Sequence, residues 1–187
     1  MSFEILMTPM SLRKLSPSNR QNPFILGFCS SNSGSGKTTL IEKIIPILIN
    51  KKFVVSVIKH AHHNFDIDIP GKDSYRLRKS GSYQTLVLNQ DRAALITESP
   101  QANINVLQMI KQMDQNVDMI LIEGLKNLPY KKIEVFRKGI SNEKLYLNDK
   151  SIIALATDDN DNESIPKLNI NSPDQVCDFI LKLIIRP

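Results

Sequence analysis

The residues best equipped for chemistry stand in one run, Ser31-Asn32-Ser33-Gly34-Ser35-Gly36-Lys37-Thr38-Thr39. Glycines at 34 and 36 let a backbone approach an anion closely. The apolar run Phe24 to Cys29 precedes the loop and helical spacing from Lys37 follows it. Loop N–H groups and a helix amino end would then face one point, the arrangement that binds phosphate. Lys37 would reach the β- and γ-phosphates as a point charge, and the Thr38 hydroxyl would ligate Mg²⁺. Ser33 through Thr39 are the expected nucleotide-binding residues, with a magnesium–nucleoside triphosphate as ligand. The pattern G-x-x-x-x-G-K-[ST] asks for glycine where Ser31 stands, which is a departure from it.

Other candidates lie at expected strand ends. An apolar strand, Met119 to Ile122, is bounded by Asp118 and Glu123. Ligands of such sheets bind outside the carboxyl ends of the strands. Glu123 is at that end and Asp118 roughly 16 Å back along the strand, so Glu123 is the expected partner of Mg²⁺ or its waters. The strand Val54 to Ile58 runs into Lys59, His60, His62, His63, Asp66 and Asp68. Lys59 and the histidines are expected to contact an anion or substrate, and Asp66 or Asp68 to assist Mg²⁺ or a water. Three histidines could instead hold a transition metal if they converged. Lys72, Arg76, Arg78 and Lys79 form a basic group on a short helix, either a second phosphate site or a solvated face. Asp158 follows the last central strand, where a carboxylate would accept hydrogen bonds from guanine N1–H and the amino group and so select GTP over ATP.

The elements that must position these residues alternate. Strands are expected at Phe24 to Cys29, Val54 to Ile58, Met119 to Ile122, Lys132 to Arg137 and Ile152 to Ala156. Helices are expected from Lys37, ended early or kinked by Pro46, from Asp73 or Ser74 as cap through Ser80, from Asn103 to Met113, and from Pro173 to Ile185 with proline in the first turn. Gln84 to Asn89 and Arg92 to Thr97 read as a hairpin turning at Gln90-Asp91. The pattern is α/β, with a mainly parallel central sheet flanked by helices and added antiparallel hairpin strands. The 187 residues fit one domain, 23–187, after an N-terminal extension, 1–22, whose polar stretch broken by Pro17 suits disorder. The hairpin and the alternating strand Lys132 to Arg137 would leave open sheet edges, which favour a homodimer.

Composition narrows the classes. The net charge of +5 comes from Lys and Arg spread along the chain without a block, so the expected anion is a small phosphorylated molecule and no nucleic acid. Cys29 and Cys177 have neither C-x-x-C nor zinc spacing and read as reduced, packed thiols. No apolar run reaches the length of a membrane span and the start lacks a signal-peptide pattern. A cytoplasmic location is expected.

Taken together, Ser33-Gly34-Ser35-Gly36-Lys37-Thr38-Thr39-Leu40, Ile58-Lys59-His60-Ala61-His62-His63, Pro70-Gly71-Lys72-Asp73-Ser74-Tyr75 and Ile122-Glu123-Gly124 resemble the MobB family of molybdopterin-guanine dinucleotide biosynthesis adapter proteins. The resemblance runs from about Pro23 to the C-terminus. The histidine run followed by Pro-Gly-Lys-Asp-Ser-Tyr is its most specific part. It implies a P-loop NTPase-like fold, a homodimer sharing sheet strands, GTP with Mg²⁺ at Ser33 through Thr39, weak hydrolysis, and assistance to a MobA-like molybdopterin guanylyltransferase, with a molybdopterin-type ligand conceivable. No arginine finger or water-orienting glutamine stands out, so at most a slow GTPase is expected. The alternatives are a small P-loop kinase with Asp66 or Asp68 as its catalytic carboxylate, and a metallochaperone GTPase using His60, His62 and His63.

Overall fold

The computed structural model describes residues 22–61, 65–99 and 104–185. The expected N-terminal extension, apart from Asn22, lies outside them, as do His62 and His63. In chain order the elements are β1 (Phe24–Cys29), α1 (Lys37–Asn50), β2 (Val55–Lys59), α2 (Asp73–Lys79), β3 (Gln84–Leu88), β4 (Ala93–Thr97), α3 (Val106–Gln112), β5 (Met119–Glu123), β6 (Lys132–Phe136), β7 (Ile152–Thr157), β8 (Lys167–Asn169) and α4 (Pro173–Ile185). The described residues form two compact units, one of residues 22–60 with 115–185, the other within residues 61–114.

The first unit is a six-stranded sheet in the order β2-β5-β1-β6-β7-β8, with every pairing parallel. Strand period sorts its residues between two buried faces. One face carries Leu26, Phe28, Met119, Leu121, Ile133, Val135, Ala154 and Ala156 and packs with Leu40, Ile41, Ile44 and Leu48 of α1 and Val176, Cys177, Ile180 and Ile184 of α4. Both faces being covered, these strands read as continuous apolar runs.

Four features differ from the expectation. Pro46 does not end α1, which continues to Asn50. A proline in a helix interior costs about 3 kcal/mol, and the packing of Ile44 and Leu48, both fully buried on either side of it, offsets that. The polar positions of β6 do not mark a solvated face or an edge, since the strand lies between β1 and β7 and is buried throughout. Lys132 bonds Asp149 (3.1 Å) and Ser151, and Glu134 accepts the N–H groups of Leu145 and Tyr146 (2.8 and 2.9 Å). Interior strands tolerate charge when each group is paired. The cap of α2 is Lys72, without a side-chain bond, while Ser74 donates to Asp68 instead. Finally β8, only three residues long, carries no sequence pattern of its own.

In the second unit β3 and β4 form the expected antiparallel hairpin, with Leu86 opposite Leu95. The Asn89 side chain accepts the N–H groups of Asp91 and Arg92 and so makes the turn. Arg78 of α2 is 7 % exposed. Its guanidinium holds both oxygens of Asp66 (2.6 and 2.7 Å) and one of Glu98 (2.5 Å), with Asp68 at 3.6 Å. Asn105 caps α3 by accepting the Gln108 N–H.

Candidate functional site

The carboxyl end of β1 feeds a loop that turns into α1. Gly34 and Gly36 have φ of +77° and +94°, a region that side chains with a Cβ rarely enter. Gly36 is the residue before the helix, so the glycine pair aims the loop amides and the α1 amino end together. Ser31 is outside the left-handed region, where among the described non-glycine residues only Lys52 and Leu125 lie. The backbone therefore makes no demand for glycine at 31. The Ser31 hydroxyl donates to Asn32 Oδ1 (2.7 Å) and Ser30 to the Asn32 carbonyl (2.6 Å), bracing the loop from within.

Lys37 Nζ turns back over this loop. It bonds Ser30 Oγ and approaches the Asn32 carbonyl and Ser35 Oγ at 3.3 and 3.4 Å. Burial draws its pKa down, and the Glu123 charge opposes that. Ser35 is fully buried. Beside the loop, β5 delivers Glu123, whose Oε1 accepts the Thr38 hydroxyl at 2.6 Å and the Lys59 ammonium at 2.7 Å. Burial alone lifts this carboxyl, yet the bonds from Lys59 and Thr38 and the charges of Lys59 and Lys37 hold it below the usual range. Register explains the meeting, because Lys59 of β2 and Phe28 of β1 both pair with Glu123.

These groups fit a hard divalent cation. Thr38 and Glu123 bring a hydroxyl and a carboxylate oxygen together, and Mg²⁺ is commonly bound by one or two carboxylates plus phosphate and water. Among the described residues no group of three or more His, Cys, Asp or Glu gathers as a metal cage. His60 sits at the same sheet edge, its N–H on the Glu123 carbonyl (3.0 Å).

On the other side of β1, Asp158 follows β7. Its Oδ2 takes Arg137 Nη1 (3.1 Å) and its Oδ1 the Lys138 N–H (2.9 Å), so guanine would have to compete for it. Asp158 lines a cavity of about 370 Å³ with Thr157, Asn160, Asn169, Asn171 and Gln175. Asp66 and Asp68 engage Arg78 in the second unit, and Asp66 is held below the usual carboxylate range by that hydrogen bond. Lys72, the cap of α2, and Arg76 within it are exposed, with Arg76 paired to Asp73 at 3.5 Å. Cys29 is 1 % exposed and its thiol is pushed up to about 12 by burial, so it is a packing residue.

Sequence reasoning missed Arg137. A Cβ on Gly36 would meet its Nη2 at 3.7 Å and its Nε at 3.9 Å. The sequence shows only a cation at the end of an alternating strand, and the strand order is what places that strand beside β1.

Comparison with known proteins bears on these observations. The family model for molybdopterin guanine dinucleotide synthesis protein B, MobB, matches residues 25–158. A molybdopterin-guanine dinucleotide biosynthesis adapter protein of Escherichia coli K12 is 43 % identical over 154 residues, 80 % of this chain and 87 % of that protein. Its counterpart in Haemophilus influenzae is 40 % identical over 163 residues, 87 % of this chain and 89 % of the relative. The crystal structure of a molybdopterin-guanine biosynthesis protein B superposes with a TM-score of 0.67 at 20 % identity, covering 86 % of this chain and 99 % of the other, which speaks for the fold.

Proposed function

The chain belongs to the MobB family, and from that premise we propose that it is a GTP-binding adapter in molybdopterin-guanine dinucleotide synthesis, acting beside a MobA-like guanylyltransferase. The observation that carries the nucleotide part is the loop from Ser30 to Thr39. Two left-handed glycines open α1, and Lys37 rests on neutral loop oxygens that a triphosphate replaces. Thr38 and Glu123 would hold Mg²⁺, which neutralises phosphate charge when bound. We assign the base to the cavity beside Asp158, whose polar lining supports that reading. Among the described residues no helix is long and apolar enough to cross a membrane, in keeping with work in the cytoplasm.

A Walker-type loop directs its lysine and metal to the β- and γ-phosphates, whereas dinucleotide synthesis attacks the α-phosphate. This chain with Mg-GTP and molybdopterin should therefore make little or no dinucleotide. The transferase alone should make product, and adding this chain should raise the yield when GTP or molybdopterin is limiting. Robust synthesis by the chain alone would overturn the adapter reading. Equal affinity for Mg-GTP and Mg-ATP would remove the guanine preference.

The hairpin bears on assembly. Leu86, Leu88 and Leu95 are 56, 59 and 55 % exposed, and a sheet that among the described residues has two strands, an open apolar face and unpaired edges invites another chain. A homodimer formed through this hairpin follows. Light scattering at micromolar protein should give a dimer mass, and Leu86→Glu with Leu95→Glu should give a monomer. A monomeric wild type counts against it.

A further inference from the structure

Arg137 is placed with more care than an ordinary surface cation. Its N–H donates to Ser141 Oγ (3.0 Å), and its carbonyl accepts the N–H groups of Ile140 and Ser141. The same turn is tied to the loop, because the Asn142 N–H donates to Asn32 Oδ1 (3.1 Å). Asp158 holds Nη1, and Asp158 is itself fixed by the Lys138 N–H. The remaining edge, Nε and Nη2, is turned to Gly36 at the amino end of α1 and has no hydrogen-bond partner among the described residues. The ion pair with Asp158 is about one-third exposed on both sides, and such pairs contribute little to stability. Folding alone gives weak reason for this arrangement.

We propose that Arg137 is a nucleotide-binding residue whose Nε/Nη2 edge donates to the phosphate chain at Gly36, with Asp158 as the positioning residue that holds the guanidinium in place. The inference rests on nucleotide binding at the loop. A guanidinium is suited to it, because its planar donors match phosphate oxygens and its orientation can be fixed through one nitrogen while the others bind. Arg137 and Lys37 would then approach the triphosphate from separate elements. Asp158 acts through Arg137 and is not the reader of the base.

The test is titration calorimetry on the full chain with Mg-GTP and with Mg-ITP, which has the same triphosphate and lacks the guanine amino group. Arg137→Ala should weaken both ligands by the same factor, about tenfold or more, without moving the thermal midpoint of the unliganded protein. Arg137→Lys should recover little, since a point charge does not reproduce the fork. Asp158→Ala should weaken binding in the wild-type background and add nothing to Arg137→Ala. Wild-type affinity in Arg137→Ala, a loss confined to GTP, or an equal cost of Asp158→Ala in both backgrounds would each overturn the proposal. If Lys37→Ala weakens binding while Arg137→Ala does not, only this inference fails. If Lys37→Ala binds like the wild type, the loop reading fails and this inference with it.

Discussion

Replacing Lys37 with alanine is expected to weaken Mg-GTP binding at least about tenfold, since hydrogen bonds to charged groups contribute about 1.5–3 kcal/mol and roughly 1.4 kcal/mol is a factor of ten. The ammonium rests on Ser30 Oγ, the Asn32 carbonyl and Ser35 Oγ, all uncharged. Its burial already disfavours the charged form, which is why its pKa falls. A triphosphate brings negative charge to the same place, so the lysine gains more from the ligand than from these neutral oxygens. The fold should survive the change, because the core beneath α1 is built from Leu40, Ile41, Ile44 and Leu48. Titration calorimetry measures the loss, and the mutant should also fail to raise dinucleotide yield in the reconstituted reaction. A folded Lys37→Ala protein with unchanged affinity would remove the phosphate-loop assignment.

Glu134→Ala is expected to destabilise the protein by about 2–4 kcal/mol, because each buried donor left unsatisfied costs about 1–3 kcal/mol. The carboxylate is fully buried in β6 and takes two backbone N–H groups, those of Leu145 and Tyr146. Relief of a buried charge works the other way, since burial raises the Glu134 carboxyl above its ordinary value, and this keeps the net below the sum of two lost bonds. The thermal midpoint should fall by about 5–15 °C for a chain of this size. A carboxyl raised in the folded state contributes most below its unfolded pKa and loses that contribution as pH rises through its folded pKa. The wild type should therefore lose stability relative to the non-titrating Glu134→Gln as pH climbs through the carboxylate range. Calorimetric scans of the three proteins check both points, and an unchanged midpoint in Glu134→Ala would show that the carboxylate does not tie the 145–146 segment down.

The same residue marks where sequence reasoning stops. Alternation in Lys132 to Arg137 was legible, but alternation reports polarity and not exposure. Only tertiary partners, Asp149 and Ser151 for Lys132 and two backbone amides for Glu134, decide that a polar face is interior. Strands β1, β5 and β7 were plain because parallel strands covered on both faces are apolar at every step. The hairpin was plain because its turn is made locally by Asn89. Pro46 misled because its local penalty is outweighed by packing that the local sequence does not display. The loop and Glu123 were legible from spacing and from which end of a strand they occupy. Lys59 was singled out, but its bond to Glu123 depends on β2 lying next to β5. Arg137 could not be found, for the strand order sets it beside Gly36 from far along the chain.

That strand order also sets a timetable for folding. Among the described residues β1, which carries the phosphate loop, pairs only with β5 and β6, joining Phe24 to Met119 and Gly27 to Lys132. The hairpin of β3 and β4 closes over a few residues and can form early. Pairings between distant segments are slow, since the closure entropy of the intervening chain opposes them before they reward it. A nascent chain that has reached Asp114 thus contains the whole loop sequence and neither neighbour of the strand that must support it. Until the ribosome has released β5 and β6, the apolar residues of β1 and α1 have no sheet to close on, which makes this stretch a natural client for a chaperone that shields exposed hydrophobic segments.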